Sequence, residues 1–237
     1  MKKVVVAIGI QARKSSSRLP EKTIKPLYGN VTMIDSLVQN CEFCANHIAK
    51  KSRDLSVSCA IVVLVPDEEH QFWTGFFRKS SVIVVPGSKD DVLDRYLKLD
   101  GYDFIVRLTS DCPNVPPLAI NKAIFTAIHH DLDYLSNSWD IYRTSIDGHD
   151  IEIISARALK WLGENAKENY DREHVTPAIR TQKNDLKCGI LFNKEDLSMM
   201  KLCVDTSDEY FAAVRRFESA QFKRNAALKR GLFVNEY

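Results

Sequence analysis

The chain has 237 residues, 45% of them hydrophobic and 27% charged, with 33 basic against 31 acidic side chains and a net charge of +2. That length admits one large domain, or one domain with an added lobe, and the composition is that of an ordinary globular protein. A charge so near balance argues against a nucleic-acid or membrane-surface partner, and no apolar run approaches the ~18 residues of a membrane span.

Residues 4–10 form an apolar, β-branched run that predicts a buried first strand. The two lysines before it give the look of a signal peptide. The apolar part is short, however, and Gln11 to Arg13 offers no small-residue cleavage site, so the expectation is a cytoplasmic protein. Residues 33–50 repeat apolar side chains at helical spacing. A strand is expected at 59–65, stopped by Pro66, then a helix at 68–79 and a short strand at 82–85, stopped by Pro86. A helix at 91–99, a strand at 104–108 and a helix at 117–129 follow. Strands alternating with helices predict βαβ units, right-handed crossovers and a mainly parallel sheet.

Beyond Asp133 the pattern changes. Short strands at 134–136 and 151–154 flank a polar segment. Helices are expected at 155–168 and 172–181, strands at 187–192 and 201–204, and a last amphipathic helix at 207–222. Thr206 and Glu209 fit a capping box at the start of that helix. Of six cysteines, Cys41 and Cys44 make a single C-x-x-C without the second pair or neighbouring histidines a zinc site needs. Both fall on the apolar stripe of the 33–50 helix and read as buried small hydrophobes.

The segment Gln11-Ala-Arg-Lys-Ser-Ser-Ser-Arg-Leu-Pro-Glu-Lys22 opens directly from the first strand. Ligands of such sheets sit outside the carboxyl ends of the strands. Arginines grip phosphate oxygens in a bidentate fashion, and a lysine supplies a point charge. The segment is neither a P-loop nor a dinucleotide fingerprint, since both glycine patterns are absent. Asp111 follows the 104–108 strand and Asp205 follows 201–204. Taken singly they read as a turn aspartate and a helix-start carboxylate. Facing one phosphate-binding loop, they predict a Mg²⁺ site, because Mg²⁺ takes one or two carboxylates together with substrate phosphates. Arg95 and Arg107 flank the same rim. Asp147, Asp150 and Glu152 gather around Gly148, and Arg172 and His174 share a helix start. These five are candidates for an acceptor subsite, or else an exposed turn and a surface ion pair.

Arg13-x-x-Ser16-x-Arg18-Leu-Pro20-x-Lys22 after a strand resembles the nucleotide-binding loop of CMP-KDO synthetase-type sugar nucleotidyltransferases. The wider series resembles the related spore-coat polysaccharide biosynthesis cytidylyltransferase-like family. It comprises Val92-Leu-Asp-Arg-Tyr96, Val106-Arg-Leu-Thr109 with Asp111-Cys-Pro113, Ser136-Asn137, Arg143-Thr144, the acids from Asp147 to Glu152, Arg172-Glu-His-Val-Thr-Pro177, and Val204-Asp-Thr206. The resemblance implies a nucleotide-diphosphosugar transferase-like (Rossmann-like) α/β fold in one domain, 1–237, with an acceptor and dimerisation part at about 133–200. It implies a CTP-dependent cytidylyltransferase acting on a sugar, sugar acid or small phosphorylated acceptor for surface polysaccharide synthesis, with Mg²⁺ as cofactor and a homodimeric state. Arg13, Arg18 and Lys22 would be catalytic. Gln11, Ala12, Ser16, Ser17, Arg95, Arg107 and Thr109 would contact the nucleotide, Asp111 and Asp205 the metal, and Asp147, Asp150, Glu152, Arg172 and His174 the acceptor. A phosphate acceptor needs no general base and yields a CDP-linked product. A hydroxyl acceptor yields a CMP-linked product and calls for a base such as His174. Ser15 and Ser110 stand where the family commonly has glycine, which predicts a narrower site. A glycosyltransferase of related fold and an inactive nucleotide-binding relative are the alternatives. The first would ordinarily show a D-x-D motif on the rim, and none is present there.

Overall fold

The computed structural model describes residues 3–16, 18–51 and 56–229. In chain order the elements are β1 (Lys3–Gln11), β2 (Pro26–Tyr28), β3 (Val31–Thr32), α1 (Met33–Lys51), β4 (Ser56–Pro66), α2 (His70–Phe76), β5 (Ile83–Gly87), α3 (Val92–Leu97), β6 (Phe104–Thr109) and α4 (Pro117–His129). There follow β7 (Tyr134–Ser136), β8 (Glu152–Ser155), α5 (Ala156–Asn165), α6 (Asn169–His174), α7 (Pro177–Thr181), β9 (Cys188–Ile190) and α8 (Ser207–Lys229).

Seven strands form one sheet in the order β5-β4-β1-β6-β8-β7-β9, and β2 and β3 make a separate hairpin. Strand β8 alone runs against its neighbours, pairing antiparallel with both β6 and β7. The central strand β1 is buried on both faces, which its unbroken Val/Ile run requires. On one face Ile8, Ile10, Val63 and Leu108 pack against Leu37, Cys41 and Cys44 of α1 and Ile120 and Ile124 of α4. On the other face Ala7, Leu64 and Ile105 pack against Leu93 and Tyr96 of α3 and Leu159 and Leu162 of α5. Each fully buried aliphatic side chain stabilises the sheet by roughly 1.5–3 kcal/mol. Among the described residues no helix is long and apolar enough to cross a membrane.

The topology fixes where a ligand can sit. From β1 the chain passes to β4 and β5 on one side, then returns to place β6 on the other. The loops leaving β1 and β6 therefore diverge over a crevice at the carboxyl edge, the place where open α/β sheets bind ligands.

Three expectations need correction. Residues 201–204 form no strand ladder, only a single bridge between Asp147 and Lys201. The helix expected at 172–181 is two short helices, α6 and α7, broken at Val175, whose φ is +73°. Thr176 N donates to His174 O at 2.9 Å across that residue, closing a three-residue turn. The helix expected at 68–79 is shorter, because a 3₁₀ turn over Asp67–Glu69 precedes α2.

Candidate active site

The loop after β1 is fastened at both ends. Ala12 N donates to Leu64 O at 3.0 Å, and Thr23 Oγ1 donates to Arg13 O at 3.1 Å. Thr23 also shares a 3.3 Å hydrogen bond with Ser110 Oγ, and Ser110 N donates to Gln11 O at 3.1 Å. Ser110, which the sequence marks as a departure that narrows the site, thus bolts the loop after β6 to the loop after β1. Asp205 reaches the same place from the far end of the chain. Val204 N donates to Asp111 O at 2.9 Å, and Glu209 of α8 accepts from Asp205 N and Thr206 N at 2.7 and 2.9 Å. The capping box thereby fixes the residue it follows.

These attachments bring three charges together. The Lys22 ammonium donates to Asp111 Oδ2 at 3.1 Å, to Asp205 Oδ1 at 3.0 Å and to Val204 O at 3.0 Å. Arg18 Nη2 donates to Asp205 Oδ1 at 3.0 Å, and Lys201 lies 3.5 Å from Asp205 Oδ2. Burial works against the charge on Lys22, yet Asp111 and Asp205 outweigh it and raise its pKa above the ordinary lysine value. Burial would also raise Asp205, but Lys22, Arg18 and Lys201 hold it below the ordinary carboxylate range. Both groups are charged at neutral pH. Two carboxylates from distant parts of the chain therefore already share one cation.

Above this cluster lies a cleft of about 280 Å³. Of the residues expected to meet nucleotide or metal, Gln11, Ala12, Arg13, Ser16, Arg18 and Lys22 line one wall. Thr109, Asp111, Asp205, Arg95 and His174 also line the cleft. Ser17 lies outside the described residues. A loop of arginine, lysine and serine over two carboxylates suits a polyphosphate with a hard cation.

Residues 6–231 match the family model described as cytidylyltransferase. The chain belongs to the cytidylyltransferase family. It is 29% identical over 220 residues to the spore coat polysaccharide biosynthesis protein SpsF of Bacillus subtilis, covering 89% of this chain and 85% of that one. A cytidylyltransferase structure from Leptospira borgpetersenii serovar Hardjo-bovis matches with a TM-score of 0.72 and 25% identity over 100% of both chains. CMP:2-keto-3-deoxy-manno-octonic acid synthetase complexed with CTP shares the fold, with a TM-score of 0.62 and 13% identity, over 93% of this chain and 100% of that one. The chain is thus a CTP-using nucleotidyltransferase.

Not every candidate residue of this cytidylyltransferase reaches the cleft. Arg107 and Glu152 are register partners on β6 and β8, and they turn into the layer beneath the site. Glu152 is 2% exposed and accepts from Arg107, Arg180, the Tyr134 hydroxyl and, at 2.7 Å, Thr176 Oγ1. Burial alone would raise its pKa, but the two guanidiniums hold it down at about 2. These two residues form an interior ion network, a correction to their expected ligand-facing roles. Arg172 is spent on Asp91, the N-cap of α3, with Nε at 2.9 Å. Asp150 receives both Nη atoms of Arg143, at 2.9 and 3.0 Å. Asp147 works through its backbone: its carbonyl accepts from Leu202 N and Cys203 N at 2.6 and 3.2 Å. Gly148, at φ +105°, lies so close to that strand of chain that an added Cβ would stand 2.4 Å from Cys203 N. The 147–150 turn is thus a buttress for the segment that carries Asp205. Arg95 lines the cleft but donates to Ser88 O and Lys89 O, both at 2.7 Å, so it shapes the 88–89 wall.

Sequence reasoning gave no role to Arg180, to Arg143 (noted only within the Arg143-Thr144 motif) or to Glu69. The first two partner carboxylates that were noticed, so acids flanked by unexplained arginines were the available signal. Glu69 accepts from the backbone of Lys14 and Ser15, and a backbone donor leaves no mark in the sequence.

Proposed function

We propose that this enzyme transfers CMP from CTP to a small acceptor (a sugar, a sugar acid or a phosphorylated compound) and releases pyrophosphate, supplying precursors for a surface glycan. The observation that carries this reading is the Lys22 ammonium held jointly by Asp111 and Asp205 at the crevice between β1 and β6. An acceptor oxygen attacks the α-phosphorus, the bond to the bridging oxygen breaks, and pyrophosphate leaves. Such a reaction asks the protein for alignment and charge neutralisation more than for covalent chemistry. Arg13 and Ser16 grip the triphosphate from the loop. Arg18 and Lys22 stand beside the carboxylates and turn their charge to phosphate oxygens as these arrive. His174, which also lines the cleft, is the residue assigned to the acceptor end.

Asp111 and Asp205 are the residues to hold Mg²⁺. The fit rests on geometry: the pair already converges on one cation. Among the described residues no third His, Cys, Asp or Glu joins a metal-binding group, which leaves the remaining positions to substrate phosphates and water. When bound, the ion neutralises charge on the triphosphate and on the departing pyrophosphate. We further propose a homodimer formed through residues 133–200. Support comes from exposed apolar side chains there, including Ile141 (77% exposed) and Met199 (96%).

The test is pyrophosphate release from each of the four nucleoside triphosphates against a panel of sugars, sugar phosphates and phosphorylated acids, with Mg²⁺ present or chelated. Release from CTP alone, abolished by chelation, is expected. Hydrolysis of a nucleotide sugar without any pyrophosphate from CTP would make the protein a glycosyltransferase instead.

A further inference from the structure

Glu69 closes the 3₁₀ turn that follows β4. Its carboxylate accepts from two successive backbone N–H groups of the loop after β1, Lys14 at 2.6 Å through Oε2 and Ser15 at 3.2 Å through Oε1. Consecutive N–H groups aimed at one point form a concavity suited to an anion. Here a carboxylate of the chain itself fills it. Trp73, fully buried on α2, donates its indole N–H to Glu69 Oε2 at 2.9 Å and fixes the carboxylate from behind. Lys14 is turned outward as well, pairing with Glu21 at 3.0 Å and lying 4.9 Å from the centre of the Phe72 ring.

The side on which this happens decides its meaning. Lys14, Ser15, Pro20, Glu21 and Glu69 border a second hollow on the outer face of the loop, whereas Arg18 and Lys22 border the cleft. Arg13 and Ser16 border both. A carboxylate inside the cleft would compete with a triphosphate. One on the outer face orders the loop and leaves the inner face to the ligand.

We propose that Glu69 is a positioning residue for nucleotide binding. It staples the Lys14 and Ser15 amides from outside, so that Arg13, Ser16 and Arg18 are presented inward before the ligand arrives. Ordering the loop in advance removes a cost that binding would otherwise carry. The role rests on the reading that this loop receives the triphosphate of CTP.

The experiment uses the full chain with Glu69→Ala and Glu69→Gln. Calorimetry measures CTP binding with Mg²⁺, and NMR follows the indole N–H of Trp73, one of three tryptophans, assigned through Trp73→Phe. Glu69→Ala is expected to weaken CTP about tenfold or more, since two charge-assisted hydrogen bonds are lost, and Glu69→Gln by less. The Trp73 signal should shift in free Glu69→Ala and stay in place when CTP saturates the wild type. Equal or tighter CTP binding by Glu69→Ala would overturn the proposal. So would a wild-type Trp73 signal driven by CTP to its Glu69→Ala position, for then the carboxylate is a plug that the ligand expels. If the wild type binds no CTP, the functional reading fails. Hydrogen exchange at the Lys14 and Ser15 amides then decides the staple alone: protection lost in Glu69→Ala upholds it, and no protection in the wild type refutes it.

Discussion

At the rim of the sheet, Lys22 stands between Asp111 and Asp205; one layer down, Glu152 stands between Arg107 and Arg180. Both are carboxylates meeting cations at hydrogen-bond distance. The rim cluster is partly wet, with side-chain exposures of 14% for Lys22, 31% for Asp111 and 16% for Asp205, and three cations converge on Asp205. Its partners can be exchanged when a ligand brings other charges. In the inner cluster the arginines are as exposed as Lys22, at 14% for Arg107 and 17% for Arg180, but the acid differs: Glu152 is 2% exposed and has four donors already in place. Burial therefore divides the work. The network on the buried acid ties β6, β8 and α7 together, and the one on the more open acids is proposed to do the chemistry.

The largest effect that would test this division is on stability. Glu152→Gln leaves two guanidiniums without their charge partner and should cost about 3–5 kcal/mol in urea unfolding. The acid limb gives the sign. The Glu152 carboxyl is held at about 2, below its ordinary 4.5. Its contribution is complete above the ordinary value and drains away as pH falls through the lowered one. The stability gap between wild type and Glu152→Gln should therefore narrow from about pH 4.5 down towards pH 2. A gap that stays constant over that range would show that the charge is not what the network uses.

Next come Lys22→Ala and Asp205→Asn. Each should lower pyrophosphate release on the order of 10²-fold. Each should move unfolding by only about 1 kcal/mol, as partly exposed pairs do. Large losses of stability with turnover near wild type would reverse the two assignments. The smallest effect belongs to Ser110→Gly, which removes the bolt to Thr23. A cost of about 1 kcal/mol is expected, with CTP affinity altered by no more than about threefold. A tenfold gain in affinity would mean that the serine does narrow the site.

Much of the fold is legible in the sequence because apolar runs punctuated by proline mark parallel strands plainly. Residues 117–129 and 134–136 fall where the pattern puts them. The break at Val175 is not legible. A β-branched residue at positive φ is imposed by its surroundings (Thr176 anchored on Glu152, Val175 itself buried), although Pro177 two residues later was a hint. The rim cluster was within reach because Lys22 closes the basic loop after β1, Asp111 follows β6 and Asp205 precedes the capped helix α8. Arg107 and Glu152 were misplaced for the opposite reason. The sequence shows charges on strands near the rim, but strand parity and cross-strand register decide whether a charge points to ligand or to core. Glu69 escaped because its contacts to the loop are with backbone amides.

The hydrogen bond from Val204 N to Asp111 O has a consequence for biosynthesis. Asp111 belongs to the first run of βα units, and Asp205 arrives only after the chain has passed through β9. A nascent polypeptide still lacking its last stretch therefore carries half of the cation-holding pair. On the proposed role of that pair, loading with metal and triphosphate waits until α8 has docked beside Leu27 and Met33. By that proposal catalytic competence and completion of the fold are one event, and a partly made chain would neither sequester CTP nor begin turnover on the ribosome.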